Sequence, residues 1–399
     1  KILTMIIIPG FAVSFDNGFG EELIGVSGAS SSLDEDHNIV NVFINKVIDP
    51  EKNMDDEHDA LRIALLQFAC LLVERSSSHI HDSLGSTSTK KEGNKLRRLM
   101  TYAWPCLLAK NYVDPSARYH GHLLLAHIIS KLAINKRIVL QVFHSLLKAH
   151  AVDARNLVRQ ALEVITPAMP LRMEDGNQML THWTRKIIIE EGHSMQQLHH
   201  ILQLIVRHFK VYYPVRHHLV QQMVSSMNRL GFSPNSSIDY RKLAVELAEV
   251  VIKWELQRIR EEGGGIVDDD LLSVTEKVGA NKTVKRSIQE DEPRKKANID
   301  EPSSSASSSA PATPQPPRNE DYYRAVDRTH CDSVLNFLFR LACQLGDLPP
   351  MPGMQSPCEN LSRRCIMLIK KVLEPTIWLP NCDLKLQWLD KVLISISEP

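Results

Sequence analysis

Apolar residues along this chain recur with the period of an α-helix. Residues 138–147 contain three apolar pairs spaced by four positions, which predicts an amphipathic helix with one buried face. The pattern resumes over 157–165, with Asp153 expected to cap the start of this second helix. We expect Pro167 and Pro170 to end it. Because the connector is short, the two helices should lie antiparallel.

The same two-helix pattern repeats along most of the chain. First helices start near residues 137, 175 and 214, which are 38 and 39 residues apart. The second of these should end before Gly192, with Ser194 capping its partner. Upstream, the expected helix pairs are 95–110 with 117–133 and 38–48 with 57–75. Because no alternating strand pattern appears, this period of about 40 residues predicts an all-α fold, a HEAT/armadillo-like α-solenoid of antiparallel helix pairs.

Two polar segments interrupt the helical pattern. Residues 76–93 are expected to form a loop, and residues 262–320 a disordered insert. The insert includes residues 303–317, which are almost entirely Ser, Ala, Pro, Thr and Gln and bury too little apolar area to offset ordering entropy. The predicted organisation is helical repeats over 1–261, the insert, and further repeats over 321–399. In the last part, helices are expected at 321–345, 359–373 and 383–397.

Composition narrows the classes of function. The 399 residues include 47 Lys or Arg and 47 Asp or Glu, so the net charge is zero. The chain as a whole therefore has no positive electrostatic field that would attract nucleic acid. No apolar stretch reaches the roughly 18 residues of a membrane helix. Seven cysteines without a Cys-x-x-Cys pair favour reduced thiols inside a cell. We therefore expect neither direct sequence-specific nucleic-acid binding nor membrane contact. The start at Lys1 predicts a piece of a longer protein.

Seventeen histidines invite a metal-site interpretation. His120 and His122 lie two apart, and His199-His200 and His217-His218 are adjacent pairs. However, no His-Glu-x-x-His pattern occurs, and adjacent helical residues point about 100° apart. The chain also lacks nucleophile-elbow, phosphate-loop, dinucleotide-binding and kinase catalytic motifs. We predict no catalytic, cofactor-binding or metal-binding residues and no cofactor.

Two basic clusters lie in the expected insert. Their residues are Lys282, Lys285, Arg286, Arg294, Lys295 and Lys296. The arrangement resembles a bipartite nuclear import signal, although the spacer is short and contains the acidic run 290–292. An ordinary solvated charge run explains the same residues, because short basic runs are common by chance.

Basic and aromatic residues alternate at one expected corner between helices. The candidate interaction surface consists of His208, Lys210, Tyr212, Tyr213 and Arg216. One interpretation is a contact surface for an acidic partner. The other is a repeat corner packed by its two tyrosines, and we favour it because zero net charge supplies no supporting field.

Several long runs resemble the transformation/transcription domain-associated protein family, pseudokinases related to phosphatidylinositol kinases. The runs lie at 142–150, 173–186, 209–219 and 251–258. The resemblance implies a segment of the central HEAT solenoid of a nuclear scaffold subunit. It also implies that this subunit belongs to histone acetyltransferase co-activator complexes and receives transcription activators. The kinase-like domain of the family, which lacks catalytic residues, would lie outside this chain.

Three hypotheses follow. The leading one is a non-enzymatic scaffold that presents its helical surface to activators and other subunits. The alternative is a HEAT-repeat nuclear transport or cargo adaptor, but the Trp-Asn ladders usual in such proteins are not evident. The third is an enzyme with an unrecognised catalytic constellation on its helices.

Overall fold

The regular structure of this chain is helical. The computed structural model describes residues 1–25, 38–48, 58–80, 94–108, 114–149, 154–263, 324–346, 357–378 and 382, and these contain no strand. The α-helices are α1 (Ile8–Asp16), α2 (Gly20–Ile24), α3 (Ile39–Val42), α4 (Asp59–Arg75), α5 (Asn94–Ala103), α6 (Pro115–Lys131), α7 (Lys136–Lys148), α8 (Arg155–Arg172), α9 (Gly176–Glu191), α10 (Met195–Arg207), α11 (Phe209–Tyr212), α12 (Val220–Phe232), α13 (Ile238–Gly263), α14 (Arg328–Gly346) and α15 (Pro357–Val372).

Short helices of other types extend several of these elements. They are π-helices at Leu3–Ile7 and Phe43–Val47 and 3₁₀-helices at Ser77–His79, Trp104–Leu107 and Tyr213–His218. In the described residues, no helix is both long enough and apolar enough to cross a membrane.

The helices form two rows, as an α-solenoid requires. Second helices of successive pairs pack on one another from α4 through α6 to α8, and from α10 through α13 to α15. First helices form the other row, with contacts from α7 to α9 and from α12 to α14. All but four of the described buried apolar side chains belong to one continuous cluster from Ile24 to Trp378; the exceptions are Ala64, Leu71, Ala117 and Ala168. The predicted fold class is therefore confirmed.

Side-chain caps fix where several helices begin. Asn135 accepts a hydrogen bond from the backbone N–H of Arg137 at 3.0 Å and starts α7. Ser194 accepts one from Gln197 at 3.4 Å and starts α10, as predicted. The preceding helix ends at Glu191, before Gly192. The predicted cap Asp153 lies outside the described residues.

The prediction that Pro167 and Pro170 end α8 is wrong. The helix continues through both prolines to Arg172. Each proline removes one backbone N–H donor, but Thr166 and Met169 are fully buried between neighbouring helices. Packing on both sides therefore holds the last turn in helical geometry despite the missing bonds.

Glycine allows α9 to begin directly against this last turn of α8. A Cβ on Gly176 would lie 2.2 Å from the carbonyl oxygen of Met169. Any larger residue would push the two helices apart, so the close approach depends on glycine.

A buried charge cluster joins α13 to α15. The Glu249 carboxylate accepts bonds from Lys253 Nζ at 2.8 Å and from Arg364 Nε at 2.9 Å. Glu246 also lies 3.7 Å from Arg364. Two residues beyond Lys253, Glu255 accepts the backbone N–H of Val326 at 3.2 Å. These bonds connect residues on either side of the predicted insert.

Some sequence predictions lie on residues that the structure does not describe. They are the greater part of the loop 76–93, the insert 262–320 beyond Gly263 and the helix 383–397. The domain organisation therefore stays a prediction.

Candidate interaction site

At the corner between α10 and α12, buried side chains form hydrogen bonds to neighbouring helices. Tyr212 is fully buried, and its hydroxyl lies 2.8 Å from Thr184 Oγ1 on α9. Tyr213 donates its hydroxyl to Glu261 at 2.8 Å, and the Arg216 guanidinium stacks 4.2 Å from the Tyr213 ring centroid. The corner therefore fixes how α9, α12 and α13 meet.

The predicted interaction surface is divided between the interior and solvent. Tyr212, Tyr213 and Arg216 are at most 2% exposed. Lys210 is exposed, and His208 is half-buried. The five side chains do not form one continuous outer face, so partner contact at this corner stays a prediction that rests on Lys210 and His208.

A buried side chain on α13 also forms a hydrogen bond to the backbone of α11. Trp254 on α13 is fully buried and donates its indole N–H to the carbonyl oxygen of Phe209 at 2.8 Å. The Lys253 ammonium lies 5.3 Å from the Phe209 ring centroid, within the range of a cation–π contact. His208 is thereby held at the C-terminal end of α10.

A cleft of about 230 Å³ opens beside His208, between α8, α10 and the start of α13. It lies where the row of second helices is interrupted, because α8 packs on α6 and α10 packs on α13. Val158, Leu162 and Leu204 form an apolar floor and are at most 4% exposed. At one end, the rings of His199 and Tyr240 meet edge to face with centroids 5.4 Å apart.

Arginines dominate the charge of this cleft. Arg155 and Arg159 are one turn apart on α8, and Arg207 faces them from α10. Glu163 lies 3.5 Å from Arg159 Nε and 3.8 Å from Arg207 Nη1, so one carboxylate is shared loosely between two guanidinium groups. Burial and the nearby Arg159 lower the pKa of Arg207. Three guanidinium groups therefore face Glu163 and Asp239, the cleft's two carboxylates.

Burial lowers the pKa of two histidines in the cleft. The pKa of His208 is lowered to about 4, mainly by burial and in smaller part by the nearby Arg207. Burial also lowers the pKa of His199, where Arg155 and Arg207 act against Asp239. His208 Nε2 is buried and has no hydrogen-bond partner in the described structure. A ligand acceptor would satisfy this nitrogen in the tautomer that carries the proton on Nε2, and a ligand donor would satisfy it in the other tautomer.

His120 and His122 form contacts within the helical core. His120 lies 3.0 Å from Gln67 Nε2 and 2.8 Å from the Ser116 carbonyl oxygen. His122 bonds the Arg118 carbonyl oxygen and Ser145 Oγ, both at 2.9 Å, and burial lowers its pKa to about 4. In the described ranges, no group of three metal-ligating side chains converges. The six import-signal residues lie outside those ranges.

The cleft is not among the sites predicted from the sequence. Arg155, Arg159 and Glu163 are spaced by four residues, which is also the pattern of an ordinary solvated helix face. Only the fold, which places α8 and α10 on different sides of one cleft, brings Arg207 opposite that face. Arg207 precedes the predicted surface by one residue, and this adjacency was the single available signal.

Comparison with known proteins covers the whole chain. The family model described as the Tra1 HEAT repeat ring region matches residues 1–399. Transcription-associated protein 1 of Drosophila melanogaster is 58% identical over 400 residues, covering 100% of this chain and 10% of that protein. Transformation/transcription domain-associated protein of Homo sapiens is 52% identical over 403 residues, again covering 100% of this chain and 10% of the relative.

A more distant relative carries a more specific name. The Saccharomyces cerevisiae protein named SAGA complex/NuA4 acetyltransferase complex subunit TRA1 is 26% identical over 202 residues. That match covers 50% of this chain and 5% of the yeast protein. The chain thus spans about a tenth, or less, of the length of these relatives.

Proposed function

Because the chain belongs to the Tra1 HEAT repeat ring family, we propose that it is a non-catalytic scaffold segment of a transcription co-activator subunit in histone acetyltransferase complexes. The observation that carries the proposal is the family match over residues 1–399. The names of the fly, human and yeast relatives support transcription and acetyltransferase assembly as the setting. Such a setting is nuclear.

The mechanism is geometric. Stacked helix pairs around one continuous core form a long surface on which other subunits dock, and each pair contributes its own exposed side chains. Transcription activators are a second class of partner, since acidic segments that fold on binding suit a helical groove. The cleft between α8, α10 and α13 offers a concavity of about 230 Å³ for a partner side chain.

Affinity purification tests the scaffold function. The tagged 399-residue chain, expressed in nuclei, should retain acetyltransferase subunits and histone acetylation activity. An unrelated HEAT protein of similar length is the control. Retention no greater than that of the control would contradict the proposal. Added acidic activation segments should bind the same beads, and failure to do so would remove activators from the partners.

Nuclear entry has its own test. The basic clusters of residues 282–286 and 294–296 would lie along an acidic receptor groove. Replacing Lys285, Arg286, Arg294, Lys295 and Lys296 with Ala should move a reporter fusion of the chain into the cytoplasm. Unchanged nuclear accumulation would leave a solvated charge run as the explanation of these residues.

A further inference from the structure

The cleft between α8, α10 and α13 carries donors that the described structure leaves unused. Arg155 forms no hydrogen bond or ion pair with a described acceptor. Arg159 and Arg207 reach Glu163 only at 3.5 and 3.8 Å, beyond the roughly 2.7–2.9 Å of a charge-assisted hydrogen bond. The buried Nε2 of His208 is also without a partner. Four cationic or polar groups from two helices therefore surround one concavity.

We propose that this cleft binds a phosphoryl group on a phosphorylated segment of a partner protein. Clustered arginines recognise phosphate because their planar guanidinium forks donate paired hydrogen bonds to its oxygens. Arg155 and Arg159 approach from α8, and Arg207 approaches from α10. The proposal rests on the scaffold function, since it names the chemistry by which one face would hold a partner.

Charge and shape favour phosphate over a run of carboxylates. A phosphate monoester carries about −1.5 to −2 charges on one group. Three guanidiniums converge here on about 230 Å³, while an acidic segment needs positive charge spread along its length. The apolar floor of Val158, Leu162 and Leu204 leaves the arginines as the main polar groups at the mouth of the cleft, where their side chains reach solvent and an incoming phosphate.

Peptide titration tests the proposal on the full 399-residue chain. Three fluorescent pools have randomised neutral flanks and phosphoserine, glutamate or serine at the centre, and anisotropy gives each Kd. The phosphoserine pool should bind at least about tenfold more tightly than the glutamate pool, because its charge and its paired acceptors are greater. Inorganic phosphate and inositol hexakisphosphate form a fourth arm.

Single-residue variants locate the binding. Arg155→Gln and Arg207→Gln should each weaken phosphoserine binding by about tenfold, since each removes a charged donor. Arg363→Gln is the matched control, because its side chain is 62% exposed and its carboxylate partner is Glu359 on the same helix. Circular dichroism confirms that each variant is folded, and Arg207→Lys should retain part of the affinity because it keeps the charge.

Several outcomes would overturn the proposal. These are no measurable binding, equal affinity for the glutamate pool, an equal loss in Arg363→Gln, or tighter binding of inositol hexakisphosphate than of the phosphoserine pool. The glutamate result would identify an acidic partner instead, and the inositol result a small-molecule ligand. If peptides fail while acetyltransferase subunits are still retained, the scaffold function stands and only the phosphate site falls. If peptides bind but no subunit is retained, the scaffold function falls.

Discussion

Replacing Glu249 by Met should destabilise the contact between α13 and α15 by about 3 kcal/mol. Glu249 and Lys253 side chains are each 6% exposed, so the change leaves a buried ammonium without its carboxylate. Arg364 loses the same acceptor. Breaking a buried ion pair from one side costs roughly 3–5 kcal/mol. The expected value is at the low end because Glu246 still lies 3.7 Å from Arg364.

A second substitution separates charge from packing. Glu249→Met combined with Lys253→Met should recover most of the lost stability, because a well-packed apolar pair can replace a buried ion pair at little cost. Glu359→Met is the control. It breaks an exposed pair on α15, whose side chains are 46% and 62% exposed, and should change stability by roughly 0–1 kcal/mol.

Urea unfolding and hydrogen exchange measure the effect. The urea midpoint gives the change in the free energy of unfolding. Amide exchange adds its location, because a repeat chain can open one unit at a time. Protection should fall in α15 and stay unchanged in α4 and α6. A loss below about 1 kcal/mol for Glu249→Met, or no recovery in the double variant, would refute the assignment of this cluster as the joint.

Three further predictions concern the core. Gly121→Ala should destabilise the protein by about 1–3 kcal/mol because its Cβ would lie 2.2 Å from Cys106 Cβ. Gly10→Ala, which has open space around it, should stabilise α1 slightly, and the change in the thermal unfolding midpoint gives the sign of each effect. Tyr212→Phe should lower the free energy of unfolding by about 1–3 kcal/mol, because it leaves the buried Thr184 hydroxyl unpaired. Adding Thr184→Val should restore most of that stability in urea titrations, and additive losses would contradict the pairing. The pKa of His122 is about 4 in the folded chain, below its unfolded value. The contribution of neutral His122 to stability should therefore be fully present above about pH 6.5 and be lost as the pH falls toward 4. An NMR titration midpoint near 6.5 would contradict this.

Helix period was the most informative property of the sequence. It placed first helices near 137 and 175, and the structure begins them at Lys136 and Gly176. Period works because every pair must bury the same kind of stripe against its neighbours. The rule that proline ends a helix failed at Pro167 because it describes local hydrogen bonding and takes no account of burial around Thr166 and Met169.

The candidate cleft could not be predicted from the local spacing of residues in the sequence. Arg155, Arg207 and Tyr240 lie on three different helices, and nothing in their spacing reveals that they share a concavity. Aromatic and basic alternation at 208–216 attracted attention instead, yet Tyr212 and Tyr213 serve the interior. Composition cannot separate a tyrosine that braces a corner from one that faces a partner, because both need an apolar body and a polar tip.

The interrupted row of second helices has a mechanical consequence. Within α4, α6 and α8, and within α10, α13 and α15, each second helix packs on the next one. We therefore expect each of these two stretches to resist bending. Between α8 and α10 the row of second helices has a gap, and contacts through α9 and α11 connect the two stretches. We therefore expect flexing of the solenoid to concentrate at this joint, and a ligand that fills the gap should reduce it.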